Sequence, residues 1–353
     1  MAETKVKPAW LKSGPLNSAV LPEPPVVQKY RGVADENADE RFATALNELA
    51  LDGLARAGVN LVWLRFYNGF GLEFEKAELE RARTVIAAAH SRGIKAAVIV
   101  ELGGLTAETL LQEESECQNW LQLNSDGQQP VVENAAFFRA RTCFNSEGFL
   151  RYMERVCGVA ADFGADLIHF EDVAYNPEPD TCHCAICVAS FREFLRQRFG
   201  AQDDRTHKAG LVRFGHTNFT HVRPPVFAAK STRISAQAAT SPHVQEWTQF
   251  KAQSLLHALS RLSRGVSKRN PECAVSADVL RYYSPGAENV LDHGIRFEDL
   301  LTHVDVATGD LLDTAQNSEE TLKVARLFGI AVPVNSRTLS VEPHTYPGLE
   351  LGF

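Results

Sequence analysis

The sequence has no stretch of roughly 18 uninterrupted apolar residues, which excludes an ordinary lipid-spanning helix. Positive charge is also scarce. Lys plus Arg number 36 against 44 Asp plus Glu, a net charge of −8, and no block of basic residues occurs, so a nucleic-acid-binding surface is not expected. The first 32 residues include Lys5, Lys7, Pro8 and Trp10 and lack the apolar core of a secretory signal, so a cytoplasmic location is expected. Glycine and proline, 23 and 16 of 353 residues, are too few and too aperiodic for a collagen-like or low-complexity chain. Seven cysteines are an odd number in a chain too large to need disulfide staples, which favours reduced thiols or metal ligands.

What is present is an alternation of helical and buried-strand patterns. Residues 1–37, with Pro22, Pro24 and Pro25, read as an extended arm, and the fold is expected to occupy 38–353. Apolar residues recur at helical spacing from Phe42 to Leu54, Gly58 gives a stop, and Val59 to Phe66 forms a nearly continuous apolar run. The unit then repeats as helix 75–90 and strand Lys95 to Glu101. A third strand is expected at Phe137 to Cys143, a fourth at Asp166 to Asp172, a fifth at Ala274 to Asp278, a sixth at His303 to Ala307 and a seventh at Ile330 to Val334. Parallel strands need crossovers and the helices supply them, so the fold class is α/β. Polar and acidic residues at the carboxyl ends of successive strands favour a (β/α)8-type TIM barrel over an open sheet, incomplete or irregularly closed after the seventh strand. Unpaired sheet edges would then favour a homo-oligomer. Residues 200–243 form a long insertion, too long for a plain connector and suited to a flap.

The strongest local signal is Cys182-His183-Cys184-Ala185-Ile186-Cys187, directly after the fourth strand. Thiolates at that spacing converge on one tetrahedral ion, and Cys143, at the end of the neighbouring strand, is the expected fourth ligand. Four cysteines leave no open position, so a structural zinc is expected rather than one that activates water. The bland alternative is a set of unligated thiols or a redox centre. Cys117, Cys157 and Cys273 read as small buried hydrophobes.

Taken together, Arg141-Thr142-Cys143-Phe144-Asn145-Ser146, the strand Asp166 to Asp172, the cysteine run and the helix Phe191 to Gly200 resemble the catalytic barrel of the glycoside hydrolase family 42 β-galactosidases. The resemblance is good over about residues 50–200 and implies the barrel, four cysteines on a structural zinc, and hydrolysis of a carbohydrate. It also marks departures. The family's acid/base glutamate follows an asparagine at the end of strand four, where this chain has His169-Phe170-Glu171-Asp172-Val173. The family's nucleophile closes strand seven, where this chain has Val334-Asn335-Ser336-Arg337 and no carboxylate.

Glycoside hydrolysis needs two carboxyls flanking the scissile bond. Glu171, following an apolar strand, is the expected proton donor with a raised pKa, assisted by Asp172 or by Asp310, whose neighbour Gly309 allows close approach. Expected substrate-binding residues are Arg65, Tyr67, Glu101, His169 and Asp278, although Arg65 would serve equally well as an ion-pair partner of Glu101. His169 and Glu171, two residues apart, would share one strand face. Trp63, Trp120 and Trp247 offer stacking faces for a sugar, Trp63 being the best suited to the core. The second reading is a catalytically inactive barrel that binds sugar or supports an assembly around a structural zinc.

Overall fold

The computed structural model describes residues 7–13, 16–131, 138–175, 181–227, 240–278, 299–300 and 302–307. Eight strands lie among them: β1 (Ser18–Val20), β2 (Leu61–Tyr67), β3 (Lys95–Glu101), β4 (Gly104–Leu105), β5 (Ala140–Arg141), β6 (Leu167–Glu171), β7 (Ala274–Ala277) and β8 (Val306–Ala307). The helices are α1 (Pro25–Tyr30), α2 (Ala38–Ala45), α3 (Glu48–Arg56), α4 (Lys76–His90), α5 (Ala107–Leu110), α6 (Glu147–Asp162), α7 (Ala185–Phe199), α8 (Asp204–Phe214) and α9 (Pro242–Arg269). Six strands make one sheet in the order β1-β2-β3-β6-β7-β8, every neighbouring pair parallel.

The apolar runs in β2 and β3 are continuous because both faces of the sheet are covered. One face, with Val62, Leu64, Phe66, Val98, Ile168 and Phe170, packs on the helices through residues such as Leu79 and Ile86 of α4 and Phe149 and Val156 of α6. The other face carries a smaller cluster, Leu61, Trp63, Ala97, Ile99, Leu167, Ala274 and Val306. Alternation along each strand therefore puts Arg65, Glu101, His169, Glu171 and Ser276 on the side away from the helices, at or near the carboxyl ends.

Two expectations change. The segment read as an extended arm contributes β1, in register with Leu61 to Trp63, and the helix α1. Its prolines follow the strand instead of interrupting it, and Pro25 opens α1, where its missing N–H costs nothing. Asn17 anchors the pairing: its carbonyl accepts from the Asn60 and Leu61 amides, and its own amide donates to the Asn60 side chain. The expected third sheet strand, by contrast, is a two-residue piece, β5, antiparallel to β4 and outside the six-stranded sheet. Arg139, Arg141 and Thr142 are too polar for a strand covered on both faces. Because one strand is gained and one lost, β6 is still fourth in the sheet.

The insertion at 200–243 contains α8, held by a reciprocal capping box between Asp203 and Thr206 and closed by Gly215 in the left-handed conformation. Among the described residues no helix is long and apolar enough to cross a membrane. The seventh expected strand, at 330–334, and Asp310 lie outside the described residues.

Candidate active site and cysteine cluster

Cys143, Cys182, Cys184 and Cys187 come together as expected, all buried, their sulfurs within 4.8 Å of one another. The route differs from the expected one. Cys143 does not end a sheet strand. The Thr142 amide donates to the Gly103 carbonyl and its hydroxyl to the Leu102 carbonyl, which ties the turn after β3 to the chain entering α6. The other three cysteines approach from the start of α7, where Cys184 is the N-cap and accepts from the Cys187 amide.

Tetrahedral zinc with bonds of about 2.3 Å to sulfur places its ligands about 3.8 Å apart. Cys143 lies 3.7 Å from Cys184 and 3.4 Å from Cys187, so the set fits one such ion, and all four are free thiols. Contacts with neighbouring sulfurs, helped by burial, push the Cys143 and Cys187 thiols up, while Cys184, which those sulfurs serve as donors, is pushed down. A divalent ion would relieve that crowding, because it allows all four to be thiolates. Leu123 and Asn145 point N–H groups at Cys182 and Cys187, as donors to sulfur ligands do.

The second group is a mesh of acids and arginines at the carboxyl ends of β2, β3 and β6. Glu171 accepts two hydrogen bonds from Arg65, at 2.6 and 3.0 Å, and Arg65 also lies 3.4 Å from Glu23 in the β1–α1 loop. Burial alone would raise the Glu171 carboxyl, but the charge and hydrogen bonds of Arg65 outweigh it and hold the group at about 2. The expectation of a raised value at Glu171 is thus reversed. The cause is a partner from a strand two places away in the sheet.

Glu101, register partner of Glu171, pairs with Arg139 at 2.8 Å and accepts from the Gly104 amide. Its side chain is sealed from solvent, and burial, with the nearby Asp172 and Glu171 charges, outweighs Arg139 and pushes the carboxyl up to about 8. Neighbouring carboxyls are thereby driven in opposite directions.

Asp172 leaves the strand in the left-handed region, with φ of 55°, a conformation that Asp and Asn tolerate better than most residues. Its amide and that of Val173 donate to the buried Asp278 carboxylate at 3.0 and 3.3 Å, and its carboxylate stands 4.0 Å from Arg141. Gly103 lies directly beneath: a Cβ there would stand 2.2 Å from the Asp172 carbonyl oxygen. Glycine is required at that close approach.

The other expected residues occupy distinct places. Arg65 pairs with Glu171 and Glu23, not with Glu101. His169 shares the face of Glu171, contacts the Ser276 hydroxyl at 3.0 Å, and is lowered by burial to about 4, so the ring is neutral at physiological pH. Tyr67 follows a register shift in β2 and its ring packs 6.0 Å from Tyr152 in the helix-side core. Trp63, Trp120 and Trp247 are all buried and offer no open face; their hydrophobic area is used in packing. Three residues of the mesh went unrecognised in the sequence: Glu23, Arg139 and Arg141. Arg139 and Arg141 had a usable signal, since two arginines at a spacing of two on a polar strand project to one side. Both are buried, and among the described residues the Nε and Nη2 of Arg139 and the Nε of Arg141 have no hydrogen-bond partner.

The pairing of Glu171 carries a pH signature. A carboxyl depressed from 4.5 to about 2 stabilises the fold above the unfolded value, and that contribution, about 3 kcal/mol at most, is lost as pH falls from about 4.5 towards 2. Glu101 acts oppositely: its raised value favours the fold in acid and the benefit is lost as pH rises towards 8. Comparison with Glu171→Gln separates the two. The stability gap between wild type and variant, measured by urea unfolding, is expected to shrink from pH 6 to pH 3; a constant gap would contradict an ionised Glu171.

The profile of the glycoside hydrolase 42 family, described as beta-galactosidase, matches residues 115–329. No curated protein matches the sequence. Among solved structures the chain is similar to the cold-adapted beta-galactosidase from Rahnella sp. R3, at 17% identity and a TM-score of 0.59 over 88% of this chain and 42% of that one. It is similar to a GH42 beta-galactosidase from G. stearothermophilus, at 15% identity and a TM-score of 0.59 over 91% of this chain and 44% of that one. It is also similar to the catalytic domain of beta-amylase from Paenibacillus polymyxa, at 12% identity and a TM-score of 0.59 over 90% and 84% of the two chains. The shared fold is the TIM-type barrel, of which six strands are described, in one sheet that hydrogen bonds among the described residues do not close. The chain spans less than half the length of these beta-galactosidases.

Proposed function

Because the chain belongs to the glycoside hydrolase 42 family, we propose that it cleaves a glycosidic bond of a β-galactoside-like carbohydrate by carboxylate acid/base catalysis. The observation that carries this reading is the mesh at the ends of β2, β3 and β6, where Glu101, Glu171 and Asp172 meet Arg65, Arg139 and Arg141. The opposite shifts of the adjacent Glu171 and Glu101 carboxyls support an electrostatically tuned site of the kind that carboxylate chemistry uses.

The roles shift within strand four. Glu171, fixed as an anion by Arg65, cannot supply a proton at neutral pH and is assigned to stabilising positive charge at the sugar ring. Glu101 is sealed from solvent behind Arg139 and cannot reach a leaving group. Asp172, on a clamped turn beyond the strand end, is the proposed proton donor, with Asp278 as its positioning residue. Asp310 is retained as the second carboxylate on the sequence argument given above. His169 and Arg65 line the same strand face and are assigned to substrate binding through Glu171.

Zinc is the proposed occupant of the cysteine cluster, as a structural ion that joins the chain entering α6 to the start of α7. Buried reduced thiols favour a cytoplasmic setting. Self-association through the sheet edge is proposed on the grounds already given.

The test is a panel of nitrophenyl glycosides. Turnover of the β-galactoside or a close relative is expected. Sugar binding without turnover on any member would favour the inactive-barrel reading instead.

A further inference from the structure

We propose that the aromatic cluster of Tyr30, Phe70, Phe74 and Phe138 is a subsite for the leaving-group part of the substrate, a pyranose ring or an aromatic aglycone. The proposal rests on the glycosidase reading and extends it to a surface that no tryptophan supplies.

Phe70 is the centre of the cluster and is fully buried. Phe138 stacks on it with centroids 5.6 Å apart and planes 8° apart, Phe74 stacks at 5.6 Å and 30°, and Tyr30 tilts over it at 4.6 Å. Tyr30 also touches Phe138 at 5.3 Å. Two of the four rings remain open to solvent, Tyr30 at 36% and Phe74 at 42%. A single exposed apolar side chain needs no explanation, but rings from three separate segments converging on one buried ring make a preformed apolar surface.

Its position ties it to the acids. Phe70 lies just past the end of β2, on a loop that touches the strand-end carboxylate: a Cβ on Gly69 would stand 3.5 Å from the Glu101 Cγ and 2.7 Å from the Gly104 carbonyl oxygen. Phe138 precedes Arg139, whose guanidinium lies 5.1 Å over the Phe138 ring while pairing with Glu101. Arg139 keeps its buried Nε and Nη2 without a hydrogen-bond partner among the described residues, so a buried cation with uncommitted donors backs the Phe138 ring.

The surface is also held rigid. The Phe70 amide donates to the buried Glu75 carboxylate at 2.8 Å, and its carbonyl accepts from the Thr109 hydroxyl at 2.6 Å. A ring fixed before binding costs little ordering entropy when a ligand arrives.

The experiment measures binding of two non-hydrolysed probes, phenyl and methyl 1-thio-β-galactoside, by titration calorimetry on wild type, Phe74→Ala and Tyr30→Ala. Both side chains are partly exposed, and thermal midpoints are recorded to exclude unfolding. Wild type is expected to prefer the phenyl probe, and each variant to lose that preference by roughly fivefold to tenfold while its affinity for the methyl probe is kept. An unchanged phenyl-to-methyl ratio in both variants overturns the subsite, and nitrophenyl turnover by the same wild-type protein would show that the glycosidase reading survives it. Binding of neither probe together with no turnover overturns both. A variant that changes oligomeric state but not the ratio assigns the rings to self-association and likewise overturns the subsite.

Discussion

Asp172→Asn is expected to lower kcat on a nitrophenyl galactoside by about a hundredfold to ten-thousandfold, the range that loss of a general acid produces. The substitution is well matched to its place. Asn tolerates the left-handed backbone of this turn almost as well as Asp, so the peptide that Asp278 clamps and Gly103 underlies is kept. Only the carboxyl function is replaced. The loss should therefore depend on the leaving group, being large for a poor one that must be protonated and small for dinitrophenol, which departs as an anion. Equal losses on both would sink the assignment of Asp172 as donor. Glu171→Gln should behave differently. It leaves Arg65, largely buried, with Glu23 alone at 3.4 Å, and breaking such a pair costs about 3–5 kcal/mol, so its activity loss is accompanied by a fall in stability.

Cys184→Ser is the second large effect. Zinc content is expected to fall from near one ion per chain to near none, with the thermal midpoint lowered by about 10 °C or more as the metal's contribution to folding is lost. Serine can still cap α7 as Cys184 does, so loss of the cap does not explain such a fall. Activity should decline with stability, since Cys143 is linked through Thr142 to Leu102 and Gly103, and Gly103 packs under the proposed acid. A purified protein that lacks metal and keeps its midpoint would remove the ion from the account.

The parts of the fold that were legible in the sequence are those whose signal is local. The apolar runs of β2 and β3 declare a doubly covered sheet, and the amphipathic periods of α4 and α6 declare the crossovers. β1 was not legible, because three residues of strand followed by prolines resemble an arm until Leu61 to Trp63 pair with them. The β5 segment failed in the opposite sense: Phe, Arg and Ala in alternation suggest a strand, but the sheet has no place for two arginines on a covered face. The cysteines were legible because thiols three or fewer residues apart are already constrained to converge, and only the link through Cys143 needed the third dimension.

The sequence by itself determined the alternation of strands and helices, the acids at the strand ends, and a four-sulfur set suited to one ion. Tertiary structure alone decided which carboxylate is charged. Arg65 reaches Glu171 from another strand and lowers it, while Arg139 reaches a sealed Glu101 and does not offset its burial. A carboxyl's proton affinity is set by the charges and the solvent within a few ångströms of it, and residues 38 and 106 positions apart in the chain have no fixed distance until the fold brings them together.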